Sequence, residues 1–365
     1  MIRKRAMNKI KNNEMKKSCF SPKGEDFTGS AARKATIYDI AEKANVSIST
    51  VSRVFNGSAS VSKKTRKKVE KAMEDLNYFP NALARSLVNK SSNTIGVVVS
   101  DITNPFFTEV IEGIEDYLAS QGFTLFLSSS RYMVDKENLY ISQLIEKRVD
   151  GLILFNTCTE ENSIIGRIKN IVPVVTVQSA LTDTNCVNTS DEEGAYNAVE
   201  YLIKQGHKNI AFLVYNFENS TIRNRLKGYF KAHKANGIEV NKEYVLSSDF
   251  TPYCGYHMTN EVLDKMPEVT AIFTYNDQLA VSAYYAIQMR GLKIPDDMSI
   301  VGYDNIELAN LMRPALTTVE QPIYEIGRSA AELIISKIRD QKRLNYHKVF
   351  IPTKLIVRDS VKKLK

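Results

Sequence analysis

Five apolar runs of this chain lead into side chains that can hold a small polar molecule. Asp101 comes just after Ile95–Val99, Asn156 after Gly151–Phe155, Gln178 after Val174–Val177, Asn276 after Ala271–Thr274 and Asp304 after Ser299–Gly302. Carboxylates and amides bind hydroxyls in pairs, and Phe106 and Phe107 offer aromatic faces against which a ring can pack. These runs, with Thr124–Leu127 and Ile210–Val214, have strand length and alternate with stretches of helical period. That pattern predicts parallel sheets covered by helices on both faces. In such sheets ligands sit in the crevice beyond the carboxyl ends of the strands. Any one of these Asp or Asn residues could instead cap the helix after its strand. Convergence of the whole set on one crevice favours a ligand.

A second chemistry is written earlier, in Thr36–Gly57. Thr36 can cap a helix, with Asp39 reaching back to the free N–H groups. Ile37, Ile40, Ala41 and Ala44 then share one face. Asn45 stands at the turn, where a left-handed backbone suits asparagine. Ser47 can cap a second helix whose inward stripe is Val51, Val54 and Phe55, leaving Ile48, Ser49, Ser52 and Arg53 outward. A small polar face ending in arginine fits a major groove. A helical hairpin buried in a core would show the same period, so charge must separate the two readings. Residues 1–34 carry ten Lys/Arg against three Asp/Glu and residues 35–90 ten against five, whereas the whole chain is only +8. Residues 91–365 are therefore net negative. Positive charge confined to the first quarter is the footprint of a phosphate-binding module. A third helix opening at Ser62 buries Val69, Ala72, Met73 and Leu76 and turns Lys63, Lys64, Arg66, Lys67, Lys68 and Lys71 outward.

Enzymatic chemistry has no footing. There is no Walker-type glycine loop, no GxSxG, and no Cys/His cluster at metal spacing, so neither cofactor nor metal is expected. The four histidines are isolated, and His207 reads as a helix end leading into a strand. Four cysteines without paired spacing, no membrane-length apolar run and a start lacking a signal-peptide core together predict a cytoplasmic protein. Residues 1–34, basic and without periodicity, read as a disordered extension.

From Thr36 to Leu87 the chain resembles the headpiece of the lactose-repressor (LacI/GalR) family of bacterial transcription regulators. The resemblance rests on TIYDIA, VSxxTVSRVxNG, KKTRKKV and NYxPNALARSL. It implies that Ile48, Ser49 and Arg53 read the operator, that Thr50 and Asn56 touch phosphates, and that Thr36 belongs to the same DNA-contacting group. It further implies a hinge helix from Asn81 that folds only on DNA, with Asn81 and Ala84 at the duplex and Leu87 wedging open a base step in the minor groove. A free segment of fewer than ten residues forms no stable helix alone.

The remainder is similar to the family's effector domain, through DITNPFF, VDGLI, GHKNI, RLKGY, YNDQLA, VGYDN and MRPALTTVEQP. Carried over, the effector contacts are Phe106, Phe107, Arg225, Asn276 and Asp304. Gln178 stands where many members have an acid or Asn, and Thr189 where Asp is usual; fewer anionic acceptors fit either an effector making fewer donor contacts or one bearing its own negative charge. The expected fold is an all-α helix-turn-helix headpiece (35–80), a hinge and linker (81–93), and an α/β domain (94–365). That domain should be two-lobed and periplasmic-binding-protein-like, with parallel sheets. Lobe 1 would span about 94–191 and 320–350, and lobe 2 about 192–319 and 351–365. The expected function is a homodimeric repressor on a pseudo-palindromic double-stranded operator, controlled by a small-molecule effector such as a carbohydrate, with no membrane partner. A sugar-binding protein without regulatory role is the alternative, and it would need no headpiece. No heptads follow Arg358, so no coiled-coil tetramer is expected.

Overall fold

The computed structural model describes residues 35–55, 60–78, 91–155, 164–179, 181, 183–217, 219–251, 253–340 and 346–364. Two compact units divide the chain near residue 81. In the first, helices α1 (Ile37–Ala44), α2 (Ile48–Phe55) and α3 (Lys63–Asp75) enclose a small core of Ile40, Ala41, Ala44, Val51, Val54, Val69 and Ala72. Local chemistry sets the helix ends. The Thr36 N–H donates to Asp39 Oδ2 at 2.6 Å while the Asp39 N–H donates to Thr36 Oγ1 at 3.4 Å, which closes a capping box. Asn45 turns the chain at φ 52°, and the Thr50 N–H donates to Ser47 Oγ at 3.2 Å. Phe55 stacks on Tyr78 at 5.9 Å beside this core.

The second unit holds two six-stranded sheets. The first lobe contains β1 (Thr94–Val99), α4 (Pro105–Ser120), β2 (Thr124–Ser129), α5 (Val134–Glu146), β3 (Gly151–Phe155), α6 (Ile164–Ile168), β4 (Val174–Val177) and β5 (Asn185–Thr189). The second contains α7 (Asp191–Lys204), β6 (Ile210–Tyr215), α8 (Ser220–Ala235), β7 (Val245–Ser248), α9 (Cys254–Lys265), β8 (Ala271–Thr274), α10 (Asp277–Met289), β9 (Ser299–Asp304), α11 (Glu307–Leu311) and β10 (Thr317–Glu320). The chain then returns to the first lobe as α12 (Ile323–Arg339) and β11 (Lys348–Ile351), and crosses back as β12 (Lys354–Ile356). Strand orders are β11-β5-β4-β3-β1-β2 and β12-β10-β9-β8-β6-β7. Among the described residues every pairing is parallel except β10 with β12.

Crossovers of one or two residues, after β5, β10 and β11, therefore join the lobes. Short crossovers keep the carboxyl ends of both sheets facing one another across the crevice. Helices α4 and α12 approach so closely that a Cβ on Gly113 would overlap the Tyr324 carbonyl, and one on Gly327 the Val110 carbonyl. Coverage on both faces fails at β2. As the edge strand it leaves Phe126 and Leu127 47% and 42% exposed. Strands β5, β7, β10, β11 and β12 were not expected: β5 and β10 mix polar with apolar residues, and β7, β11 and β12 are short pieces at sheet edges.

Candidate effector cleft and operator-reading helix

Within the first unit, α2 presents Ile48 at 41% exposure, with Ser49 and Arg53 also exposed and Thr50 half-buried. Thr50 is tied to the cap by Ser47, whose Oγ lies 2.8 Å from Thr50 Oγ1 and from Ser49 Oγ. Thr36 is half-buried and spends its side chain on Asp39. Asn56, Asn81, Ala84 and Leu87 lie outside the described residues, as does Asn156 in the second unit.

Between the lobes, one cavity is lined by Asn104, Phe106, Phe107, Tyr132, Gln178, Arg225, Tyr275, Asn276, Asp304 and Gln321. Six expected residues thus meet at one place: Phe106, Phe107, Gln178, Arg225, Asn276 and Asp304. Asp101 does not line it; Asp101 Oδ1 accepts from the Thr103 N–H at 3.0 Å and from its hydroxyl at 2.8 Å, holding its own loop. Capping does not take the asparagines out of the cavity lining. Asn276 Oδ1 accepts the Leu279 N–H at 3.0 Å and Asn104 Oδ1 the Phe106 N–H at 3.0 Å, yet both side chains face the cavity. Asp277, one residue on, turns away to accept Thr318 Oγ1 at 2.6 Å and the Ile306 N–H at 3.0 Å.

Arg225 organises the polar side. It is 2% exposed, and its Nε donates to Asp191 Oδ1 at 2.9 Å and its Nη1 to the Tyr275 carbonyl. Asp304 Oδ1 lies 3.7 Å from Nη2. The guanidinium carbon sits 3.5 Å from the Tyr303 ring centroid and 4.6 Å from that of Tyr275, a double cation–π contact. Burial opposes its charge, but Asp191 and the flanking rings keep it protonated. Burial also raises the Asp304 carboxyl to about 7, against the downward pull of Arg225 and a 2.7 Å hydrogen bond from Gln321 Nε2. Gln178 Nε2 donates to Gln321 Oε1 at 3.1 Å, so a relay of amides runs from the first lobe to the Asp304 carboxylate.

Sequence reasoning missed Tyr132, Tyr275, Gln321 and Asn104. Tyr132 matters most. From the loop after β2 in lobe 1, its ring lies 4.3 Å from Phe217, 4.8 Å from Phe250 and 6.3 Å from Tyr215, all in lobe 2. Burial pushes its phenol well above the ordinary value. Tyr132, Gln178 and Asp304 have φ of 58°, 53° and 111°, so three cleft residues hold a backbone that costs non-glycine residues about 1–3 kcal/mol each. With Tyr132 inserted, the cavity is about 10 Å³, room for roughly one water molecule.

His207 has the structural role expected of it. Its buried ring lies 2.9 Å from Thr270 Oγ1 and 3.1 Å from the Lys362 carbonyl, and burial lowers its pKa. No group of three or more metal-capable side chains occurs among the described residues, and no described helix is long and apolar enough to cross a membrane.

Residues 36–81 match the bacterial regulatory proteins of the lacI family, and residues 92–359 match the periplasmic binding proteins and sugar binding domain of LacI family. The chain belongs to the LacI family. This LacI-family regulator is 40% identical over 336 residues to the HTH-type transcriptional repressor PurR of Vibrio campbellii, an alignment covering 90% of this chain and 99% of that one. It is 38% identical over 331 residues to catabolite control protein A of Priestia megaterium, with the same coverages. Its fold matches the lac repressor dimer bound to operator and the anti-inducer ONPF with a TM-score of 0.79 and 31% identity, over 90% of this chain and 100% of that one. A transcriptional regulator CelR–cellobiose complex matches with a TM-score of 0.67 and 29% identity, over 89% and 99%. The LacI-family chain is a DNA-binding transcriptional repressor with an effector-binding domain, which sets aside the purely sugar-binding alternative.

Proposed function

We propose that this regulator represses transcription as a homodimer on a pseudo-palindromic operator and that a neutral, polar, ring-shaped molecule, a carbohydrate first among them, sets its occupancy. The convergence of Phe106, Phe107 and Tyr275 with Gln178, Gln321, Asn276 and Asp304 on one cavity carries the effector reading. Arg225 is already neutralised by Asp191, so the site makes little demand for an anionic ligand. A sugar ring does not fit while Tyr132 occupies the space; lobe opening with Tyr132 withdrawn precedes binding. Ile48, Ser49 and Arg53 read base edges, Thr50 and Asn56 hold phosphates, and Thr36 sets the entry of α1 beside them. Arg53 paired bidentately with guanine contributes about 1–3 kcal/mol of discrimination. Asn81, Ala84 and Leu87 form the hinge in the minor groove, and relative movement of the lobes decides whether two hinges can pair. Exposed Phe126 and Leu127 on β2, and Tyr285 and Met289 on α10, supply apolar surface for the dimer.

Mapping the DNA bound in cells supplies the operator and nominates the metabolite. Titration calorimetry of the purified protein with cellobiose, ribose and purine bases then tests the ligand class. Saturable binding of a sugar that shifts operator affinity is the expected result; binding of a purine base alone replaces the carbohydrate. Leu87→Ser should weaken operator binding with effector affinity intact, and loss of both together contradicts the division between hinge and cleft.

A further inference from the structure

A second cavity, about 260 Å³, lies beside the effector cleft and is lined from both lobes. The first lobe contributes Ser179, Asn188, Lys348 and Phe350 among others, and the second contributes Arg223, Asn224 and Lys227. Arg223 and Lys227 are four residues apart on α8, so they share one face and point into the same space. Lys348 arrives from β11, across the lobe boundary. All three cations are exposed, and among the described residues none of them forms an ion pair. Asp191, the carboxylate among the described lining residues, already accepts from Arg225 at 2.9 Å and from Thr189 Oγ1 at 3.2 Å. Three positive charges lining one cavity repel one another unless an anion lies between them. Phe350, 65% exposed at the rim, offers a face for a ring.

We infer that this cavity is a second ligand site, for a small phosphorylated ring compound, with the phosphate held by Arg223, Lys227 and Lys348 and the ring packed on Phe350. The volume is close to the lower limit of ordinary ligand pockets, about 300 Å³, and more than twenty times that of the closed cleft, about 260 against about 10 Å³. The two sites share a wall. Gln178 lines both, Ser220 Oγ donates to the Gln178 carbonyl at 2.7 Å, and the Asp191–Arg225 pair spans from one cavity to the other. An anion that draws β11 toward α8 ties lobe 1 to lobe 2, and so biases the same opening that effector binding requires.

The test uses the full-length protein, with orthophosphate, phenyl phosphate and phenol as probes in calorimetry at constant ionic strength. Phenyl phosphate should bind saturably and more tightly than orthophosphate, and phenol should not bind. Arg223→Ala/Lys227→Ala/Lys348→Ala, all surface changes, should weaken phenyl phosphate by about ten-fold or more while melting and operator binding stay those of wild type. Phe350→Ala should erase the advantage of phenyl phosphate over orthophosphate. Lys348→Ala alone serves as a second variant, with a smaller loss in the same direction. No saturable binding to wild type, or equal binding to the triple variant, overturns the assignment, the latter because the anion then lies in the effector cleft or elsewhere.

Discussion

Replacing Asp304 with Asn should flatten the pH dependence of stability of the effector domain. The Asp304 carboxyl is held at about 7 in the folded protein against an ordinary 3.8, chiefly by burial. A raised carboxyl favours the protonated native form. Below about pH 4 both folded and unfolded chains carry the proton and nothing is lost. As pH rises the unfolded chain ionises first, so stability falls until the folded group ionises near 7, and then levels off. The shift of about three pH units corresponds to roughly 4 kcal/mol in all, of which roughly 2–3 kcal/mol falls between pH 5 and 8. Asn cannot titrate, and its carbonyl can still accept from Gln321. The variant should therefore gain on wild type across that interval by roughly 5–10 °C in melting temperature. His207 and His233, both lowered by burial, tilt stability the other way by losing it as pH falls, but they do so in both proteins and cancel from the difference. Scanning calorimetry at pH 5, 6.5 and 8 without effector decides it. Parallel curves for the two proteins would refute a burial-raised Asp304.

Four other outcomes follow from the geometry. Arg53→Ala should cost about 1–3 kcal/mol on operator DNA and much less on scrambled duplex, by fluorescence anisotropy; equal losses on both would make Arg53 a phosphate contact only. Tyr132→Ala removes the aromatic wedge between the lobes and should enlarge the unliganded protein in small-angle scattering, whereas an unchanged profile means the wedge does not hold the cleft shut. Gly327→Ala drives a methyl into the Val110 carbonyl and should destabilise by about 1–3 kcal/mol in urea; a neutral result would show that α4 and α12 can part without cost. Deleting residues 1–34 should reduce the slope of log K against log salt without changing operator preference, and a constant slope removes that segment from DNA binding.

Local chemistry makes the headpiece legible in the sequence alone. Thr36 and Asp39 cap, Asn45 turns and Ser47 caps again within twelve residues, so sequence neighbours set where α1 begins and ends and where α2 begins. The same holds for β1, β3, β4, β6, β8 and β9, whose apolar runs announce buried parallel strands and whose ends supply the cleft residues Gln178, Asn276 and Asp304. Adjacency is where sequence stops. Asn276 faces the cavity while Asp277 braces β10, and Asp101 holds its own loop, because direction depends on packing between strands that no spacing reports. Tyr132 is polar-looking loop chemistry until a left-handed backbone swings it into the aromatic residues of the other lobe, and Gln321 enters only because a crossover passes through the crevice. Contacts between residues more than a hundred positions apart, such as Gln178 with Gln321, are fixed by how two sheets are joined, and only the folded chain contains that information.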